Sequence, residues 1–167
     1  MTLAEWEALP EDNTAHYELQ EGVLLVAPKR GPQHQLALFH LAALLREQRP
    51  KQWDVIPSVE VVVQAGTPAT VRAPDVVVTR AGHSVARFHA ADVVLAVEVI
   101  SPGSRNVDLH LKPFEYAEAG IPHYWVVDLD PPVPSITVIE AGRRRVVTGE
   151  LVVEEPFPLR IDLGALG

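Results

Sequence analysis

Two carboxylates in apolar surroundings are the residues of this chain whose type and spacing most directly indicate chemistry. Asp75 follows Pro74 and precedes three valines, and Glu98, 23 residues later, closes the apolar run 93–97. Continuous runs of this kind are typical of strands buried on both faces. A buried carboxylate is costly unless its charge is compensated. One divalent cation with oxygen ligands would compensate both, so the pair predicts a metal site. The alternative is that each carboxylate ends a strand and meets an arginine or solvent.

Other polar residues surround this pair in a fixed order. The segment 98–108 reads Glu-Val-Ile-Ser-Pro-Gly-Ser-Arg-Asn-Val-Asp, and it is followed by Lys112, Tyr116, Gly120 and the run Tyr-Trp-Val-Val-Asp at 124–128. Upstream are Tyr-Glu-Leu at 17–19, Gly22, and a histidine at position 34 that opens a helix. Each piece is weak alone, but the ordered set is fairly specific. It resembles the Uma-type restriction endonuclease family, a branch of the PD-(D/E)XK nuclease superfamily, over residues 1–130.

The resemblance implies roles for several residues. Asp75 and Glu98 would hold Mg²⁺ or Mn²⁺, with the main-chain carbonyl of Val99 as a further ligand and Glu18 as an extra one. His34 would contact the substrate or the metal. Without the resemblance, Glu18 is equally well a strand carboxylate facing water, and His34 a solvent-exposed histidine at a helix start.

The chain departs from the superfamily pattern at one position. The pattern has a lysine two residues after the glutamate, and this chain has Ile100 there. Lys112 is the predicted substitute, with the role of orienting the attacking water or offsetting charge in the transition state. Pro113 predicts that a helix begins next to Lys112. Asp108 is expected to hydrogen-bond Lys112 or to cap the following turn. The alternative for Lys112 is a solvated surface lysine.

Composition and charge limit the classes of function. The 167 residues carry a formal net charge of −8, which argues against a general nucleic-acid binder but not against a nuclease with local basic residues. Arg30, Arg46 and Arg49, which flank the long helix, are the predicted phosphate contacts. The absence of cysteine excludes disulfides and thiol catalysis. No apolar run could span a bilayer and no secretory signal is visible, so we expect a cytoplasmic protein without membrane contact.

Hydrophobic periodicity and the positions of proline and glycine predict the secondary structure. A capping box of Thr2 and Glu5 opens a short helix that ends at Leu9. Further helices are predicted over 33–49, with a wide apolar face that includes Leu36 and Phe39, and over 113–119. Strands are predicted over 16–19, 23–27, 53–63, 71–79, 92–100, 125–129, 136–141 and 144–148, and the tail 151–163 is predicted to be extended.

This order of elements predicts an α/β protein with a restriction-endonuclease-like core, in which helices flank a mixed central β-sheet. Residues 1–167 are expected to form a single domain, with a C-terminal β-hairpin and an extended tail over 131–167. The predicted function is metal-dependent endonucleolytic hydrolysis of DNA by a homo-oligomer. Two alternatives stay open: a catalytically inactive nuclease-fold interaction module, and a metal-dependent hydrolase of a small phosphorylated substrate.

Overall fold

The computed structural model describes residues 1–12, 14–82, 87–130 and 132–167, and its regular structure consists of α-helices and β-strands. The helices are α1 (Leu3–Glu7), α2 (Pro32–Gln48) and α3 (Lys112–Glu118). A π-helical turn, Val107–Leu111, leads directly into α3. The strands are β1 (His16–Gln20), β2 (Val23–Ala27), β3 (Trp53–Pro57), β4 (Val61–Gln64), β5 (Thr70–Arg72), β6 (Val76–Arg80), β7 (Phe88–His89), β8 (Val93–Val99), β9 (His123–Asp128), β10 (Ser135–Glu140), β11 (Arg143–Thr148), β12 (Glu150–Val153) and β13 (Leu159–Asp162).

The strands form a six-stranded sheet, a five-stranded sheet and a two-stranded sheet. The six-stranded sheet has the order β11-β10-β9-β8-β6-β3, in which β8 and β9 are parallel and the other neighbours are antiparallel. The five-stranded sheet has the order β2-β1-β5-β4-β7. The predicted α/β class with a mixed central sheet flanked by helices is therefore confirmed.

Side chains on the two faces of the six-stranded sheet belong to two different hydrophobic clusters, as alternation along a strand requires. On β8, Val97 packs with α2 and the C-terminal strands, whereas Ala96 packs with Tyr116 of α3 and with Val61 of the five-stranded sheet. A third cluster, which includes Trp6 of α1, covers the other face of the five-stranded sheet. Because β6 and β8 are covered on both faces, each contains a continuous apolar run, 76–78 in β6 and 93–97 in β8.

Helix α2 begins and ends within one residue of its predicted bounds. Pro32 occupies the first turn, where its missing N–H costs nothing. Leu38, Leu41 and Leu45 face the sheet and are buried. The predicted apolar face was too wide, however, because Leu36 and Phe39 are 58% and 66% exposed. A single sheet face contacts only one side of the helix, so these two side chains lie outside the contact.

Two of the predicted long strands each divide between the two large sheets. The segment 53–63 forms β3 in the six-stranded sheet and β4 in the five-stranded sheet, and 71–79 forms β5 and β6 in the same way. Proline ends or precedes a strand at each break, at Pro57 and at Pro74, because it donates no ladder hydrogen bond. Asp75 therefore lies in the passage between the sheets and not inside a strand.

The C-terminal region contains the predicted hairpin, β10–β11, but its tail is not a simple extended segment. Strands β12 and β13 pair antiparallel, and a 3₁₀ turn at Leu163–Leu166 follows. Alternate residues such as Leu151 and Ile161 are fully buried in the cluster that contains α2. The alternation of apolar and polar residues at 150–153 and 159–162 was the signal for this second hairpin. Among the described residues, no helix is long and apolar enough to cross a membrane.

Candidate active site

The pairing of β6 with β8 brings the two predicted carboxylates to the same place. Val76 lies opposite Val97 in this antiparallel ladder, so Asp75 and Glu98 follow one residue further at the same end. Both are buried, and Glu98 is only 1% exposed. The main-chain N–H of Val99 donates to Asp75 Oδ2 at 2.7 Å. Asp75 therefore has a backbone partner, and neither carboxylate ends in solvent.

His34 reaches this point from the first turn of α2. Its Nε2 lies 3.1 Å from Asp75 Oδ2 and 2.9 Å from the carbonyl oxygen of Val99. Both oxygens are acceptors, so Nε2 carries the proton and donates. The interpretation of His34 as a solvent-exposed residue is wrong, because the residue is 7% exposed. The structure thus brings together Asp75, Val99 and His34.

Lys112, the first residue of α3, is buried among carboxylates. Its Nζ lies 2.7 Å from Glu98 Oε1, 3.1 Å from Asp108 Oδ1 and 3.4 Å from Glu18 Oε1. The alternative of a surface lysine is wrong, because Lys112 is 2% exposed. The π-helical turn before α3 puts Asp108 four residues before Lys112 on the same inward side, and such turns are frequent at functional sites. Ile100, at the usual lysine position, packs against the apolar cluster of Tyr116.

The buried charges of this site are unbalanced. Burial alone would lower the pKa of Lys112, but the charges of Glu98, Glu18 and Asp108 raise it, so the ammonium form is stabilised. Burial raises the pKa of Glu98 well above its usual value; Lys112 lowers it, and the charges of Asp75, Asp108 and Glu18 raise it further. Three carboxylates, those of Glu98, Asp108 and Glu18, thus surround the ammonium group of Lys112, and the charge of Asp75 adds to theirs at Glu98. Such an excess of negative charge is what a divalent cation would offset.

Glu18 is held by donors on several sides. Arg72 Nη1 donates to Glu18 Oε2 at 3.0 Å, and the main-chain N–H of Ala73 donates to Oε1 at 3.1 Å. Burial would raise the pKa of Glu18, but His16, Lys112 and Arg72 together lower it well below its usual value. The alternative of a carboxylate facing water is therefore wrong. Both oxygens of Glu18 already have partners, which fits a role in positioning Lys112.

Arg72 is a residue that sequence analysis missed. It is fully buried and donates to both carboxylate oxygens of Glu115 on α3, at 2.7 Å each, in addition to Glu18. The signal was an arginine inside the predicted strand 71–79, a position that is rarely buried without an acid as partner. This residue joins β1 to α3 and so stabilises the position of the helix that carries Lys112.

Two tyrosines contact the acidic residues. The Tyr116 hydroxyl lies 3.3 Å from Glu98 Oε1, and the Tyr124 hydroxyl donates to the main-chain carbonyl of Asp108 at 2.8 Å. Their rings meet edge to face with centroids 5.0 Å apart. Burial raises the pKa of both hydroxyls, as does the charge of Glu98, so they stay protonated donors. Tyr124 and the neighbouring Trp125 are both buried in the core.

A cavity of about 510 Å³ opens from the acidic residues to the surface. Its buried end is formed by Glu18, Asp108 and Lys112, and its outer wall includes the exposed residues of β2 and the segment 28–31. Arg30 lines this wall and donates to the hydroxyl of Ser101. Arg46, in contrast, is exposed. It lies twelve residues after His34 in α2, so the two residues are about 18 Å apart along the helix axis. The structure does not bring it to the site.

The polar atoms at this site include ligand types that metals bind, but they do not form a complete set of metal-binding side chains. In the described part of the chain, no group of three or more His, Asp or Glu side chains is arranged to hold a metal ion. Glu98 Oε1 instead faces Lys112 and Tyr116. A carboxylate oxygen of Asp75 and the carbonyl oxygen of Val99 both lie within 3.1 Å of His34 Nε2. These are all metal-ligand types.

Comparison with known proteins agrees with this architecture. A crystal structure of a putative nuclease belonging to DUF820 from Anabaena variabilis ATCC 29413 superposes with a TM-score of 0.79 at 17% sequence identity, covering 99% of this chain and 97% of that one. At this identity the likeness establishes the fold. No curated protein matches the chain significantly. The model of the Uma2 family, described as "Putative restriction endonuclease", matches residues 3–164. The chain therefore belongs to the Uma2 family.

Proposed function

We propose that this protein is a metal-dependent endonuclease that hydrolyses phosphodiester bonds of DNA. The observation that supports it most directly is the arrangement at the ends of β6 and β8: Asp75, Glu98 and the Val99 carbonyl lie together, with the ammonium group of Lys112 beside Glu98. Membership of the Uma2 family and the nuclease-like fold point to the same class of reaction.

In this proposal each residue has a separate task. Asp75, Glu98 and the carbonyl of Val99 would hold Mg²⁺ or Mn²⁺, which supplies a water of lowered pKa and offsets charge on the phosphate. Lys112 would donate a hydrogen bond to the attacking water or to a phosphate oxygen, which stabilises the transition state more than the ground state. To do so it must turn one N–H away from Glu98 towards the cavity, while Glu18 keeps its amine in place.

The substrate would enter through the cavity beside Arg30. The Arg30 guanidinium and the Ser101 hydroxyl lie on its wall, so a phosphate next to the scissile one would meet two donors there. The few basic residues at this surface agree with the net charge of −8. We infer that binding of DNA depends on the metal, because the uncompensated carboxylates would otherwise repel the backbone.

The catalytic unit would be the whole chain. The site residues span 18–112, from β1 to α3, and helix α2, which carries His34, packs in one cluster with the C-terminal strands β12 and β13. We therefore propose that residues 1–167 act as one restriction-endonuclease-like domain. Two strands of a duplex require two such sites, and we further propose a homo-oligomer in the cytoplasm, where DNA is accessible.

The test is cleavage of supercoiled plasmid and of short duplexes with Mn²⁺, with Mg²⁺ and with chelator. We expect Asp75→Asn and Glu98→Gln to lower the rate by about a hundredfold or more, on the scale of losing transition-state electrostatic stabilisation. The matched control is Glu47→Gln, on the exposed surface of α2. Equal cleavage by wild type and Asp75→Asn would assign the activity to a contaminant and refute the proposal.

Two other functions are also favoured by particular observations. Ile100 at the usual lysine position and the direct ion pair of Lys112 with Glu98 favour an interaction module without catalysis. The cavity volume of about 510 Å³ lies in the range of small-ligand sites and favours a small phosphorylated substrate. Metal binding without cleavage of any DNA would support the first. Release of phosphate from small phosphodiesters, with no cleavage of DNA, would support the second.

A further inference from the structure

Strand β2 is an open edge of the five-stranded sheet. Its sequence, Val-Leu-Leu-Val-Ala, carries no charge, and in the part of the chain that the structure describes it pairs only with β1. Its first four side chains are exposed, with Val23 at 60% and Val26 at 59%. Edge strands usually carry a lysine, a proline or a bulge that prevents pairing with another strand. Residues 23–27 contain none of these, so this edge is open to pairing.

The hairpin of β1 and β2 decides which main-chain groups of β2 point outwards. Its turn at 21–22 has two residues with positive φ, so Val23 closes the ladder in a hydrogen-bonded pair with the residue before the turn. Hydrogen-bonded and non-hydrogen-bonded pairs alternate along an antiparallel ladder, so Leu25 also bonds to β1. The N–H and C=O groups of Leu24 and Val26 therefore point away from the sheet, where an added strand would lie.

Charges at the two ends of β2 favour a second copy of the chain as that added strand. Glu21 and Lys29 are both exposed, and each lies four residues from Leu25. If two copies of β2 pair antiparallel about a twofold axis at Leu25, Glu21 of each copy comes opposite Lys29 of the other. A parallel arrangement would put like charges together. The antiparallel register also puts Leu24 of each copy opposite Val26 of the other, so their outward main-chain groups all find partners.

We propose that β2 is the homodimer interface of this protein, in the antiparallel register centred on Leu25. The inference rests on the homo-oligomer of the proposed function and goes beyond it by naming the surface and the register. The five-stranded sheets of the two copies would join into one continuous sheet. A contact in which the same surface of both copies meets about a twofold axis closes on itself, so assembly through β2 ends at a dimer.

This interface would bring the two candidate active sites side by side. Glu18 lies opposite Leu25 in the ladder of β1 and β2, and both residues line the cavity of the site. Across the joined sheet, Glu18 and Leu25 of one copy would form a row with Leu25 and Glu18 of the other. Neighbouring Cα atoms in such a row are about 4.5–5.5 Å apart, so the two Glu18 Cα atoms would be separated by roughly 15 Å. Both cavities would open on the same face of the sheet, and Leu25 of the second copy would extend the wall of each.

A single introduced cysteine tests the register, because the chain has no cysteine of its own. In the proposed dimer the two copies of Leu25→Cys face each other with Cα atoms about 4.5 Å apart, which a disulfide can bridge. Val23→Cys is the matched control, since its two copies would be offset by four residues, about 13 Å along the strands, which is too far. Val23 is 60% exposed and Leu25 36%, so random collision would favour the control. Under mild oxidation we expect Leu25→Cys to form covalent dimers at least about tenfold faster than Val23→Cys.

The charges at the two ends of β2 give a second test that needs no cysteine. Glu21→Lys should weaken the dimer about fivefold in sedimentation equilibrium, because it sets lysines against each other at both ends of the interface. Lys29→Glu should have a similar effect. The double variant with Glu21→Lys and Lys29→Glu exchanges the charges and should restore the wild-type dissociation constant. Lys51→Glu is the matched control, since Lys51 is exposed in the turn after α2 and lies outside the five-stranded sheet.

The outcomes distinguish this inference from the proposed cleavage of DNA. Faster cross-linking of Leu25→Cys together with rescue in the double charge variant would support the interface even if no DNA is cleaved. Equal cross-linking of the two cysteine variants, absence of rescue, or a wild type that stays monomeric at its highest soluble concentration would refute the interface, whether or not the protein cleaves DNA. Circular dichroism tests whether each variant folds, and if Leu25→Cys does not fold, the charge variants still decide.

Discussion

Replacement of Lys112 by methionine would remove the ammonium group that lies among three buried carboxylates. Glu98, Asp108 and Glu18 would lose their shared partner at 2.7, 3.1 and 3.4 Å, and methionine would fill a similar volume without charge. Glu18 would keep Arg72 and Ala73 as donors, but Glu98 would keep only the Tyr116 hydroxyl among the hydrogen bonds described above. The charges that remain would repel one another.

The size of the effect follows from this burial. Removing one partner of a buried ion pair costs about 3–5 kcal/mol of unfolding free energy, mainly because the other charge stays buried without compensation. A chain of this size is stable by about 5–15 kcal/mol in total. We therefore expect Lys112→Met to fold but to lose roughly 6–20 °C of melting temperature, at about 2–4 °C for each kcal/mol.

The assay is urea unfolding followed by circular dichroism at pH 7, with chelator present. Lys51→Met is the matched control, since Lys51 is exposed in the turn after α2 and should change the free energy by less than about 0.5 kcal/mol. Adding Mn²⁺ should stabilise Lys112→Met more than wild type, because the cation then replaces the missing positive charge. The proposed cleavage of DNA should nevertheless fall about a hundredfold, because the proposed contact of Lys112 with the reacting atoms would be lost.

A loss of less than about 1 kcal/mol in Lys112→Met would refute the reasoning, because it would mean that the carboxylates are neutral or hydrated without the lysine. Equal stabilisation of variant and wild type by Mn²⁺ would contradict the idea that the ion and the ammonium group offset the same excess of charge.

Three further predictions concern acid stability, DNA binding and assembly. The pKa of Glu18 lies well below the usual 4.5, so its ionised form stabilises the fold fully above pH 4.5, and this contribution is lost as the pH falls from 4.5 through the lowered pKa. In urea unfolding, Glu18→Gln should therefore be less stable than wild type at about pH 7. Its stability should also depend less on pH below 4.5. Binding of duplex DNA, measured by fluorescence anisotropy, should be stronger with Ca²⁺ than with chelator, and the affinity should fall only gradually as the salt concentration rises. Arg30→Gln should lower the affinity more than Arg46→Gln. Undetectable binding at micromolar protein would remove DNA from the proposal. Strand β2 is an uncharged edge strand, and its Val23 and Val26 are 60% and 59% exposed. Because such an edge can pair antiparallel with the same edge of a second copy, Val26→Lys should lower the mass measured by light scattering. A monomeric wild type would contradict this prediction.

Sequence signals predicted helix starts and the hairpin turn, because these features depend on residues that are close together in the chain. The capping box of Thr2 and Glu5 is present at the start of α1, with both of its hydrogen bonds formed. Pro32 marks the start of α2, and Pro113 lies in the first turn of α3 as predicted. The turn at 141–142 joins the predicted hairpin with positive φ at both residues, as two-residue hairpin turns require.

The division of strands between sheets could not be predicted in the same way. Both halves of 53–63 and of 71–79 have strand character, and periodicity does not report which neighbour each half pairs with. The position of Asp75 between the two sheets depends on that pairing. The second C-terminal hairpin was also missed, because its apolar residues alternate too briefly to be distinguished from an extended tail.

For the site, the sequence alone selected the residues that are predicted to carry chemistry, since Asp75, Glu98 and Lys112 are polar groups in or beside apolar segments and belong to an ordered family pattern. Only the tertiary structure decided what each of them contacts. Burial and non-local pairing put Lys112 against carboxylates from β1, β8 and the π-helical turn, and put His34 of α2 on Asp75 and Val99. Apart from the contact with Asp108 four positions away, these contacts join residues that are 14 to 94 positions apart in the chain. Because a charge is stabilised by whatever surrounds it in space, its role follows from the packing of distant segments and not from its neighbours in the chain.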